Sequence, residues 1–222
     1  GSRRVWCRTP ASWYPERARM VTLRIDLDYV PWDTPDAQAF GHAEPAMVLR
    51  LLELARKRGV RYHFFVSNRS LRAFPALVDC ILGEGHDLDW LMKRPDERWE
   101  EARRLAEQAR TQFRGWAIRG ELPVSIPEEI EFVSAPVEVH PHTFLTQIPS
   151  LREGLRAGQS LGAWEMAMTE RVQSPGHHTV RLHPQVLGHA DPGLKVVTRL
   201  LDLCTKQGIG IRTLRQLVRE KE

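Results

Sequence analysis

The feature that most limits how this chain can fold is the order in which two hydrophobic periods alternate between residues 21 and 90. Val21–Leu27 reads as a short apolar strand. Glu44–Arg58 carries Met47, Val48, Leu51, Leu52 and Ala55 at helical spacing, with Lys57 and Arg58 in its last turn and Gly59 as a stop. Val60–Val66 (VRYHFFV) reads as a buried strand, and Leu71–Gly83 as a helix capped by Asn68 or Ser70, with Leu71, Phe74, Leu77, Val78 and Ile81 on one face. After a turn at Gly85, His86–Trp90 reads as a third strand. Strand, helix, strand, helix, strand in this order implies right-handed crossovers and a parallel sheet covered by helices.

The pattern continues to the end of the chain. Asp96–Gln112 is a highly charged helix with Trp99, Ala102, Leu105, Ala106 and Ala109 facing inward. Phe113–Ile118 and Glu131–Val139 read as strands, joined by a turn in which Ser125 can cap. Residues 140–162 read as a poorly patterned loop, Ala163–Val172 as a helix, and Thr179–His183 as a strand ending in His-Pro. Leu194–Gln207 is strongly amphipathic, Gly208–Arg212 a short strand, and Leu214–Glu220 a closing helix. With no repeat or linker in 222 residues, the expectation is an irregular arm over 1–20, packed on the body through Trp6, Trp13 and Tyr14, and a single α/β domain over 21–222.

Charge and cysteine usage narrow the partners. Thirty-two basic and 28 acidic residues give a net charge of only +4, and the two signs are interspersed, which argues against a nucleic-acid partner. Cys7, Cys80 and Cys204 are widely separated and form neither a disulfide framework nor a zinc pattern. No run reaches the roughly 18 apolar residues of a membrane span. Gly1-Ser2 looks like the remnant of a tag, so a native export signal is left open, and with it a cytoplasmic or an exported location; the oligomeric state is open too.

Asp26 and Asp28, in LRIDLDYVPW, lie two apart on a strand and so point to one side at its C-terminal end. That edge is where parallel α/β folds place their sites. Two adjacent carboxylates repel, which calls for a shared proton or an intervening cation. The plainer alternative is a solvated strand end feeding a loop with Pro31 and Pro35.

Four stretches in order, IDLDY, HFFVSNRSLRAFPALVDCILGEGHDL (63–88), FRGWAIRG and the tail LHPQVLG followed by helix, strand and helix, resemble the polysaccharide deacetylase family, which includes chitin and peptidoglycan deacetylases. The resemblance implies a distorted, incomplete (β/α) barrel of parallel strands. It implies hydrolysis of N-acetyl groups, a non-peptide carbon–nitrogen bond, on an amino-sugar polymer or a smaller amide, assisted by a divalent metal of the zinc type. By the same resemblance Asp26 matches the base, Asp28 a metal ligand, Arg114 the arginine that orients the base, and His183 the general acid.

The chain departs from the family where the two remaining metal ligands should stand. Leu91 takes the place of the first histidine, and Lys93, Arg94 or Pro95 that of the second. Three outcomes follow: loss of the metal site, replacement of the metal charge beside Asp28 by Lys93 or Arg94, or a site rebuilt from His63, His140, His142, His177 or His178. A relative that binds carbohydrate without hydrolysing it is the alternative to an enzyme, with Trp32, Trp90 and Trp116 available for stacking on sugars. The Asp-x-Asp spacing also fits a phosphatase of the haloacid dehalogenase type, although FRGWAIRGELP lacks the expected magnesium carboxylate pair, and it fits the unspecific metal motif of a sugar-nucleotide glycosyltransferase.

Overall fold

The computed structural model describes residues 18–28, 44–92, 98–119, 122–123 and 125–220. The expected N-terminal arm, Trp32, and Lys93 to Pro95 lie outside them, apart from residues 18–20. The elements are β1 (Arg19–Leu27), α1 (Glu44–Arg58), β2 (His63–Val66), α2 (Asn68–Ala73), α3 (Pro75–Gly83), β3 (Asp87–Met92), α4 (Trp99–Gln108), β4 (Gly115–Ile118), β5 (Phe132–Ala135), β6 (Thr143–Leu145), α5 (Leu151–Arg156), α6 (Leu161–Val172), β7 (Gly176–Leu182), α7 (Pro184–Ala190), α8 (Lys195–Gln207), β8 (Gly210–Ile211) and α9 (Leu214–Arg219).

The strands form one sheet in the order β6-β5-β4-β3-β2-β1-β7, with β8 beside β1, and every pairing is parallel. Seven strands curl into a nearly closed barrel, open between β6 and β7, which have no backbone pairing. This is the incomplete (β/α) barrel the sequence implies. None of the described helices is long and apolar enough to cross a membrane.

Alternation along the strands sorts residues into two layers. Outward-facing Val21, Leu23, Ile25, Phe64, Leu88, Trp90 and Trp116 form the main core beneath the helices. Trp90 therefore meets Trp99 and Trp116 at centroid distances of 5.4 and 4.9 Å, and its indole N–H donates to Asn68 Oδ1. These tryptophans belong to the sheet–helix core and do not face the barrel interior. Inward-facing Phe65, Leu91, Ala117, Phe132 and Phe144 pack with Leu214, Leu217 and Val218 of α9, which plugs the N-terminal end of the barrel.

Several details differ from the sequence expectation for identifiable reasons. The expected helix over 71–83 starts earlier, capped by Ser67, and is broken before Pro75, which cannot donate a backbone N–H. The stretch 140–162 holds β6 and α5, the latter opened by a reciprocal capping box between Ser150 and Glu153. Pro184 opens α7, for which no helix was expected.

Candidate functional site

At the C-terminal ends of the strands, Asp26, Asp28 and His183 come together with a set of arginines. Arg24 and Asp26 are two apart on β1 and share the inner face. The Arg24 guanidinium grips the carboxylate in a fork, Nε to Oδ1 at 2.7 Å and Nη2 to Oδ2 at 2.9 Å, with both side chains about 1% exposed. Arg24 also donates to Ser134 Oγ on β5 at 3.0 Å and lies over the Phe65 ring at 5.1 Å. Burial lowers the Arg24 pKa, and the adjoining Asp26 opposes that shift.

Asp28, also buried, accepts from Arg119, which leaves the end of β4, and its Oδ2 lies 3.9 Å from Arg152 of α5. His183 follows β7 and stands at the N-cap of α7 without capping it. Its Nε2 is 3.7 Å from Asp26 Oδ2, beyond hydrogen-bond distance, and neither ring nitrogen has a hydrogen-bond partner among the described residues. Burial, with Arg119, Arg181, Arg24 and Arg156 around it, holds the imidazole well below the usual histidine range, so it is neutral near pH 7.

Arg114 is not in this cluster. It precedes β4 at the strand's N-terminal end, where its guanidinium reaches Glu131 at 3.5 Å and its backbone N–H donates to Asp89 at 2.7 Å. The arginine on Asp26 is Arg24, and the second arginine of FRGWAIRG, Arg119, is the one at the strand end. The site-forming edge is the C-terminal one, so strand polarity was the signal that separates Arg119 from Arg114. Arg24 was legible as a charged residue two before Asp26, and so on the same side of the strand.

The donor set among the described residues does not suit a divalent metal. Leu91 is still within β3 and is enclosed by the inner apolar cluster, with no donor atom. Asp28 is engaged by the Arg119 guanidinium, with Arg152 3.9 Å away. Among the described residues no group of three His, Cys, Asp or Glu could hold a metal ion. The alternative histidines are spread out and occupied. His63 donates to Asp89 and accepts the Leu214 N–H, while His177 bonds Thr22. His178 bonds Ser174, and His140 accepts the N–H of His142 within a turn. A cation does stand beside Asp28, but it is Arg119; Lys93 and Arg94 lie outside the described residues.

A sequentially ordered parallel barrel with its polar centre at the strand ends defines the class: the fold is that of the CE4 polysaccharide deacetylases. The chain is similar to a probable polysaccharide deacetylase from Pseudomonas aeruginosa PAO1, with a TM-score of 0.69 at 12% identity over 96% of this chain and 97% of that one. It is similar to the peptidoglycan deacetylase PdaC from Bacillus subtilis, in a D285S mutant form, with a TM-score of 0.61 at 14% identity over 93% and 94%. It also resembles a CE4 family pseudoenzyme from Bacillus anthracis, with a TM-score of 0.62 at 16% identity, over 92% of this chain and 66% of that one. No family model matches the sequence, and no curated protein matches it.

Proposed function

We propose that this protein is a non-hydrolysing relative of the polysaccharide deacetylases that binds a carbohydrate ligand at the mouth of its barrel. The observation that carries the reading is the guanidinium of Arg119 on Asp28, the carboxylate that would otherwise bind the metal. With Leu91 in place of a histidine, nothing among the described residues supplies the three protein ligands of a catalytic zinc centre. The Arg24 fork on Asp26 is compatible with either reading, since an arginine beside the base is what the resemblance expects, and the Arg119 contact is what separates them. The Bacillus anthracis neighbour is described as a pseudoenzyme, and a mutant of it with restored enzymatic activity has a TM-score of 0.59 with this chain. Loss of hydrolysis on this scaffold therefore has a precedent.

Hydrolysis of an N-acetyl group is the second reading, favoured by the closeness of His183 to Asp26. One assay decides between them: acetate release from N-acetylated chitin oligomers, with and without added zinc, alongside calorimetric binding of the same oligomers. The expected result is binding with no acetate above background. Zinc-stimulated release that Asp28→Ala abolishes would overturn the proposal.

A further inference from the structure

Hydrogen-bonding capacity at the barrel mouth is unevenly spent. The carboxylates Asp26 and Asp28 are both satisfied by guanidinium groups. Much of what remains is donor. Arg119 donates to Asp28, has no further hydrogen-bond partner among the described residues, and its side chain is 23% exposed. His183 is 5% exposed at its side chain and bonds through neither nitrogen. Arg181, two residues earlier on the same face of β7, spends its Nη groups on Glu153 and the Ile148 carbonyl but leaves its buried Nε–H unpaired. Buried polar groups left unmade cost free energy, so these donors are suited to an acceptor, water or a ligand, brought from outside.

We propose that the barrel mouth binds a small carboxylate, such as the acid group of a uronic sugar, between Arg119 and His183. A guanidinium edge offers two parallel N–H bonds that match the two oxygens of a carboxylate, and the imidazole N–H supplies a third. A monoanion fits better than a dianion, because Asp26, 3.7 Å from the imidazole, and Asp28, bonded to Arg119, repel additional negative charge. The groups facing His183 are Asp26 and Arg24 from β1, Arg119 from the end of β4, Arg181 from β7 and Arg156 from α5. This inference rests on the non-hydrolytic reading, since it uses the arginine that stands where a metal would.

The test is calorimetry on the full chain after treatment with a chelator, using sodium acetate, D-glucuronate, N-acetylglucosamine and inorganic phosphate as probes. Glucuronate and acetate are expected to bind saturably, and the neutral sugar more weakly. Arg119→Gln should weaken glucuronate binding by about tenfold or more, the scale of a charge-assisted pair. His183→Gln should weaken it too, and carries the test if Arg119→Gln does not fold. Absence of saturable carboxylate binding, glucuronate affinity unchanged in the folded variants, or phosphate binding tighter than glucuronate would each overturn the proposal. Acetate release in the separate zinc assay would instead overturn the non-hydrolytic reading, so the two failures are distinguishable.

Discussion

At the scale of single residues, arginine decides the chemistry of this barrel. Arg24 holds Asp26, as the family resemblance expects of an arginine beside the base, whereas Arg119 neutralises Asp28, the carboxylate matched to a metal ligand. This changes what a repair mutation can do. Leu91→His alone should not create a zinc site, because Asp28 remains engaged by Arg119 and the new imidazole would sit among Phe65, Ala117, Phe132 and Phe144. Zinc uptake, followed by metal analysis after dialysis, should stay near background in Leu91→His and rise in Leu91→His with Arg119→Ala. Equal uptake in the two variants would show that Arg119 does not guard Asp28. The acidic pair was readable in advance because a strand's period of two is strict. Arg24 was open to the same period-two reasoning, being two residues from Asp26, but Arg119 as the partner of Asp28 was not, since that pair depends on a tertiary approach over 91 residues that no local pattern encodes.

At the scale of elements, the C-terminal helix is held by a buried polar latch as well as by its apolar face. Asp89, fully buried on β3, accepts both a fork from Arg215 and the backbone N–H groups of Arg114 and Gly115, besides the His63 ring. Burial alone would push the Asp89 carboxyl up, but Arg215, its hydrogen bonds and His63 together hold it below the usual carboxylate range. Asp89→Ala leaves a guanidinium, an imidazole and two amides without their acceptor. The expected cost is about 3–5 kcal/mol in chemical denaturation, as for other broken buried pairs. Gly115, beside the latch, tests packing separately: a Cβ there would overlap the Phe132 ring. Gly115→Ala should therefore destabilise by roughly 1–3 kcal/mol through overpacking, with the latch intact. A loss under about 0.5 kcal/mol would mean that the ring moves aside freely. Most elements were legible from apolar period and stop signals. Those that were not, β6, α5 and α7, are short, and short elements owe their existence to the barrel around them more than to their own sequence. Even so, Ser150-x-x-Glu153 and Pro184 were written in the chain as helix starts.

For the whole molecule, folding buries neutral histidines, and that couples stability to pH. His183 is held well below its ordinary range by burial and the surrounding arginines, and His86 and His178 are lowered chiefly by burial. A histidine whose folded pKa is depressed binds fewer protons folded than unfolded between its two pKa values, so stability rises with pH through that window and falls on acidification. The fall should begin near the unfolded value of about 6.5 and continue downward, with a slope of up to about 1.4 kcal/mol per pH unit for each such group. The carboxylates Asp89 and Glu153, lowered in the folded state, act in the same direction but at more acidic pH, from the ordinary carboxylate value downward. The histidine contribution can be isolated by following denaturant midpoints from pH 7.5 to 5 in the parent and in His183→Gln. The parent should lose stability relative to the variant as pH falls through this range, and a bound carboxylate should reduce that loss by offering the imidazolium a counter-charge. Parallel curves for the two proteins would mean that His183 meets water or an acceptor in solution and is not the neutral, unpartnered group on which the barrel mouth is built.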